Sequence, residues 1–229
     1  ATFGKPLKWQ REVEAGKRAG QDCLVFTCSW SDWFIREADE WREDAWAVVR
    51  RCPGLQFLVL TKRPERIPES LPAYWDEIKG RCWLGTSVGV RDALPRIPLL
   101  TRTPAAVHFV SFEPLLEDLG DVTPYIDGVE WGIVGGESGP NARPMHPDWA
   151  RSLRDQCQVA GIAFFFKQWG EHAPVNQMSL DAGEAAWGKW SEVTDLSKPI
   201  RVGKHAAGRL LDGREWNEFP ARGGSAVTA

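Results

Sequence analysis

No run of apolar residues in this sequence approaches the roughly 18 to 20 that a membrane-spanning helix needs. The first ten residues, ATFGKPLKWQ, carry no signal-peptide core either. Together these absences argue against a membrane partner and predict a cytoplasmic protein. Tight cysteine pairs are also missing: the five cysteines stand at 23, 28, 52, 82 and 157, and Cys23 and Cys28 lack the close spacing of zinc or iron–sulfur ligand sets. Buried reduced thiols are the expectation, because free cysteine packs like a small hydrophobe. The histidines, at 108, 146, 172 and 205, are widely scattered. No metal is assigned to any of these residues. Neither a dinucleotide fingerprint nor a P-loop is present. A net charge of −3 gives no global pull toward nucleic acid or an anionic surface, and leaves that role to local basic patches.

What the sequence does contain is a series of short apolar runs that each break into a polar cluster. They are residues 24–27, 57–61, 82–86, 107–111, 131–136 and 163–168, and the breakpoints Thr61, Thr86, Ser111 and Gly136 recur every 25 residues. That spacing suits a strand, a connection and the next strand. Buried parallel strands read as continuous apolar runs because helices cover them. The reading is an α/β fold, a partial or irregular (β/α) barrel of parallel strands, with the polar breakpoints at the carboxyl ends where such sheets place ligands. With 229 residues, 43% of them apolar, one core is the simplest expectation. The barrel is expected over residues 1–172, and residues 173–229 as a C-terminal extension packed on it.

The connections support this picture unevenly. Trp41, Ala45, Val48, Val49 and Cys52 recur at helical spacing before Pro53 and Gly54. Pro147 opens a second helix with a stripe of Trp149, Leu153, Cys157 and Ala160, and Gly161 suits the position past its end. Elsewhere Pro95, Pro98 and the proline- and glycine-bearing stretch 113–127 leave room only for reduced helices, which argues against a regular eight-fold barrel. In the extension, Lys204 to Leu211 is expected as a short helix ending at Gly213, Trp187, Trp190 and Trp216 lie among glycines and charges, and the last ten residues form a loose tail.

Read in order, the strand ends offer Ser29, Ser31 and Asp32; Thr61, Lys62 and Arg63; Thr86 and Ser87; Ser111 and Glu113; Gly135, Gly136, Glu137 and Ser138; Lys167 and Gln168. Any single Ser or Thr at a strand end is most simply a turn or cap residue. Their joint occurrence with Lys, Arg and Glu is not explained by capping and predicts one functional rim. In IVGGESG two glycines would let a ligand approach the backbone and a carboxylate would follow for an ammonium or ribose hydroxyl, against the plainer reading of a bulge with Glu137 in a salt bridge. Lys62, Arg63 and Arg66 form a basic corner that suits phosphate or carboxylate, or else a solvated helix start. Glu113 is a candidate acid or base, or equally a partner for Lys62 or Lys167. Trp30, Trp33 and Trp169 stand beside clusters and could stack on a base.

The strings LVLTKRPER, WLGTSVG, RIPLLTRTPAAVHFVSFEPLL, WGIVGGESGPNARPMHPDWARSLRDQCQVAGIAFFFKQWG and VGKHAAGRLLDG resemble, in the same order, the phage-associated three-cysteine-motif proteins. The resemblance spans roughly residues 5 to 220 and implies a divergent radical S-adenosylmethionine (SAM) enzyme on a partial barrel, with a [4Fe–4S] cluster on a triple-cysteine loop. It implies a cofactor site at Gly135, Gly136, Glu137 and Ser138, with Ser111, Thr86 and Ser87, the Gly-Gly-Glu lying late rather than on an early strand. The family's N-terminal cysteine segment is not matched in residues 1–22, so the cluster ligands are not in this chain; either a first βα unit is missing from it, which is the expectation, or the chain is a cluster-free relative, which could not cleave SAM reductively.

The functional expectation is therefore a radical SAM-type enzyme of phage or bacterial origin acting on a nucleobase or a nucleic-acid-linked substrate. Lys62, Glu113 and Lys167 are its candidate catalytic residues, and Ser31, Asp32, Arg63 and Gln168 its candidate substrate contacts. Two rivals stand beside it: a non-catalytic nucleic-acid or protein binding module, and an acid–base hydrolase or isomerase using Glu113 and Lys167.

Overall fold

Each apolar run is a strand. In the computed structural model, which describes residues 4–28, 31–178 and 195–220, β1 (Leu24–Thr27), β2 (Gln56–Thr61), β3 (Cys82–Ser87), β4 (Val107–Phe112), β5 (Trp131–Gly135) and β6 (Ala163–Gln168) form one sheet in the order β1-β2-β3-β4-β5-β6. Pairing is parallel, as between β1 and β2, β2 and β3, and β5 and β6. Sequential order with parallel pairing is the topology of a (β/α) barrel, and six strands instead of eight make it a partial one. All residues of β3 and β5 are buried, which is why they read as unbroken apolar runs. The chain divides into two compact units, Ala1–Thr86 with Arg96–Phe109, and Ser87–Pro95 with Val110–Ala229.

Unit 1 packs α1 (Gly4–Glu14), α2 (Asp39–Arg50), α3 (Trp75–Ile78) and α4 (Arg96–Leu100). Its core joins Val25, Phe57, Val59, Cys82 and Leu84 of the strands to Ala45, Trp46 and Val49 of α2 and to Trp75. Trp46 stands edge-on to Trp75 with ring centroids 5.5 Å apart, and its Nε1 donates to Ser70 O at 3.0 Å. The buried stripe of α2 is Arg42, Ala45, Trp46 and Val49, turned by about one position from the expected one, so Trp41 and Val48 lie at its margin. Arg42 can be inside because its charge is met: Nη1 lies 2.6 Å from Asp39 Oδ1, and its other nitrogens donate to Trp33 O and Ile35 O.

Unit 2 holds α5 (Pro147–Val159), the antiparallel pair β7 (His172–Pro174) and β8 (Pro199–Arg201), and α6 (Lys204–Ala207). Pro147 begins α5 behind a His146 cap, and Gly161, at φ +69°, follows its end. Its stripe is Pro147, Ala150, Leu153 and Cys157; Trp149 is half-buried and Ala160 exposed, against expectation. The helix expected over 204–211 stops at Ala207, because Gly208 turns the chain at φ +66°. Beyond it the chain runs antiparallel along β6: Phe166 N–H donates to Trp216 O, Glu218 N–H to Phe164 O, and Trp131 Nε1 to Glu218 O. The extension thus covers the outer edge that β6 would otherwise expose. Ser29, Trp30, Trp187, Trp190 and residues 221–229 of the expected tail lie outside the described residues. Among the described residues no helix is long and apolar enough to cross a membrane.

Candidate functional site

In unit 1 the ends of β1 and β2 meet at Asp32. Oδ1 of Asp32 accepts from Thr61 Oγ1 at 2.7 Å and from Phe34 N–H at 2.9 Å, while Oδ2 accepts from Lys62 N–H at 2.7 Å and Arg63 Nη1 at 3.1 Å. Thr61 Oγ1 in turn accepts Arg63 N–H, and Thr86, fully buried, donates its hydroxyl to Thr61 O. Strand alternation places Thr61 inward and leaves the residues after it exposed. Asp32 is therefore a tie between the loop after β1 and the end of β2. The Arg63 side chain keeps 44% of its surface exposed, and the exposed Lys62 ammonium has no ion pair among the described residues. Ser31 is exposed beside Asp32. Arg66 leaves the expected basic corner: its three nitrogens are committed to Phe34 O, Asp39 and Glu69. Cys28, half-buried at φ +56°, has its thiol pushed up by burial and by the charge of Asp32, so it stays protonated.

In unit 2 the network centres on Glu113, just past β4. Its Oε2 accepts from Lys167 Nζ at 2.8 Å and its Oε1 from Gln168 Nε2 at 3.2 Å; the same amide also reaches Ser138 Oγ at 3.2 Å. Of the two lysines weighed as partners for Glu113, Lys167 holds it. The pair is asymmetric, with 17% of the Glu113 side chain exposed against 51% of Lys167. Half-exposed pairs contribute only about 0 to 1 kcal/mol, so stability does not explain this one. Ser111 is buried and its carbonyl receives Val88 N–H, and Ser87 is buried at the end of β3, so neither hydroxyl is an open ligand contact.

The two glycines of IVGGESG serve the chain's own packing. A Cβ on Gly135 would sit 2.9 Å from Glu113 Oε1, and one on Gly136 would sit 1.9 Å from Trp169 O. Gly136 N–H is spent on Gln168 O, and Gly135 O receives Leu115 N–H. Glu137 lies in the salt bridge weighed as its plainer role. Arg143 gives it a main-chain N–H at 2.8 Å, Nε at 2.9 Å and Nη2 at 2.8 Å, and these hold its carboxyl at about 2. Arg201 of β8 donates to Pro140 O and Gly139 O, and Glu171 accepts Gly139 N–H, fixing the same loop from outside. Sequence reading did not single out Arg143, Arg201 or Glu171. An arginine six residues beyond a glutamate in a Gly- and Pro-bearing loop has no periodicity to betray the contact.

Two groups implied by the resemblance can be tested against these residues. A [4Fe–4S] cluster needs thiolates gathered at one point. Cys23, Cys52, Cys82 and Cys157 are buried, the last two with thiols pushed up to about 12, and of the five only Cys28 stands at the carboxyl end of a strand. Among the described residues no three His, Cys, Asp or Glu side chains are grouped to hold a metal, so these residues do not fit the cluster. The amino-acid end of SAM is a zwitterion. Glu137 would have to leave Arg143 to receive its ammonium, whereas Glu113 and Lys167 present the two opposite charges together with the Gln168 amide.

A parallel sheet with polar groups gathered at its carboxyl ends defines the class of this molecule as an α/β partial barrel with candidate ligand sites. The chain belongs to the family described as Protein of unknown function (DUF5131), whose model matches residues 1–220. No curated protein and no solved structure matches it.

Proposed function

We propose that this chain is an enzyme of radical SAM type, acting on a nucleobase or nucleic-acid-linked substrate, with its cofactor's amino-acid end taken by Glu113, Lys167, Gln168 and Ser138. The observation that carries the reading is the Glu113–Lys167 pair at 2.8 Å, a mostly buried carboxylate against a half-exposed ammonium at the carboxyl ends of parallel strands. Such a pair opens at little cost and can exchange its internal contact for an ammonium on Glu113 and a carboxylate on Lys167. The bound cofactor supplies the radical chemistry, while the chain binds, orients and keeps water from the reacting atoms. The reading takes its cofactor from the family resemblance, and it requires cluster thiolates from outside the residues described.

Equilibrium dialysis with SAM tests it. Saturable binding is expected, weakened about tenfold in Glu113→Gln and in Lys167→Met, since each removes a charge-assisted contact. Wild-type protein that binds no SAM rejects the proposal. The same 2.8 Å pair supports a second reading, acid–base hydrolysis or isomerisation by Glu113 and Lys167. Turnover without SAM that is lost in Glu113→Gln would select it.

A further inference from the structure

Unit 1 holds a second arrangement that the Glu113 network does not use. Asp32 accepts four donors and thereby fixes the turn that carries Lys62 and Arg63. Two cations stand against that single carboxylate, so the corner is locally positive in a chain whose net charge is −3. Several other cations of the unit are neutralised by carboxylates: Arg18 by Glu12, Arg42 by Asp39, Arg50 by Glu77, Arg66 by Asp39 and Glu69, and Lys79 by Asp76. Lys62 has no such partner among the described residues, and Arg63 commits only Nη1 to Asp32. The turn is rigid on the protein side, because Lys62 N–H, Arg63 N–H and the Thr61 hydroxyl are all bonded internally. It sits at the carboxyl end of β2, next to the exposed Ser31.

We infer that Lys62 and Arg63, held by Asp32 and flanked by Ser31, form a binding site for the phosphate oxyanion of a phosphomonoester. A phosphomonoester carries about −1.5 to −2 charges near neutrality, which calls for two cations where a carboxylate calls for one. Arg63 offers the free N–H groups of a planar fork and Lys62 a mobile point charge, the complementary pair that phosphate recognition uses. The inference stands on unit 1 alone, and its outcome is separate from SAM binding at Glu113.

The test is binding of inorganic phosphate, a nucleoside 5′-monophosphate and the matching nucleoside to the whole chain at low ionic strength, followed by equilibrium dialysis. Phosphate and the monophosphate are expected to bind saturably and the nucleoside not to bind. Lys62→Ala is expected to weaken both about tenfold and Arg63→Ala by at least as much, with weaker binding at higher salt. Lys79→Ala, which removes an exposed lysine already paired with Asp76, should change nothing. A monophosphate that binds more tightly than phosphate identifies a nucleotide as the source of the oxyanion; equal affinity shows that the site reads the phosphate group alone. Lys62 is exposed and unpaired among the described residues, so its loss leaves the fold intact and the test sound even if Arg63→Ala disturbs the turn. Wild-type affinity retained by the Lys62→Ala, Arg63→Ala double variant overturns the inference, as does the absence of phosphate binding in the wild type.

Discussion

The two units hold their central carboxylates in opposite ways. Among the described residues, Asp32 is bound by two main-chain N–H groups, a buried hydroxyl and a single arginine, whereas Glu113 is bound only by the side chains of Lys167 and Gln168. A carboxylate that satisfies main-chain donors is part of the scaffold, because removing it strands those donors. One held by side chains can release them to a ligand. The contrast assigns Asp32 to positioning in unit 1 and Glu113 to direct contact in unit 2, although both residues stand at the ends of parallel strands.

The largest effect expected is in unit 2, at the glycine behind the Glu113 network. A Cβ at Gly136 would lie 1.9 Å from the main-chain oxygen of Trp169, and because the backbone fixes the Cβ no rotamer change relieves that. Gly136→Ala should cost about 3 kcal/mol or more by urea denaturation. Its counterpart in unit 1, Gly54→Ala, meets only the ends of the Val13 and Gln10 side chains and should cost about 1 kcal/mol or less. Equal losses would show that the loop after β5 yields, and with it the positions of Ser138 and Gln168.

Next comes the comparison of the carboxylates themselves. Asp32→Ala should destabilise by about 2 to 3 kcal/mol, since it orphans the Lys62 and Phe34 N–H groups and the Thr61 hydroxyl. Glu113→Gln should cost less than about 1 kcal/mol while weakening SAM binding about tenfold. A Glu113 variant as unstable as Asp32→Ala would make both residues scaffold and remove the ground for a ligand at Glu113.

Much of the architecture could be read from the residues. The strands lie within one residue of their expected limits, because a strand buried on both faces must be apolar throughout. Helix faces were less legible: in α2 both Trp41 and Trp46 fit a helical stripe, and only the contacts of Arg42 with Trp33 O and Ile35 O decide that Trp46 faces the core. Glu113 and Lys167 were visible as chemistry, and their pairing as one of two options. Gly135 and Gly136 were visible as places without room for a side chain. What fills that room, a ligand or the chain's own Glu113 and Trp169, is not encoded locally, because both demand the same missing Cβ.

The smallest effect concerns the clasp between Glu137 and Arg143, and it sharpens the comparison by asking whether the loop beside Glu113 is held by charge. The clasp lowers the Glu137 carboxyl from its ordinary 4.5 to about 2. A depressed carboxyl stabilises the fold in full above pH 4.5, and the contribution disappears as pH falls toward 2. Arg143 keeps 61% of its side chain exposed, so solvent screening keeps the gain small. Arg143→Gln should therefore be slightly less stable than the wild type at pH 7, with the gap closing between pH 4.5 and 2 in urea titrations. A gap that persists unchanged to low pH would assign the loop to its other ties, the bonds from Arg201 to Pro140 O and Gly139 O and the burial of Met145. The carboxylate at Glu137 would then be energetically idle in the loop, and the division of labour between it and Glu113 would rest on the Gln168 amide alone.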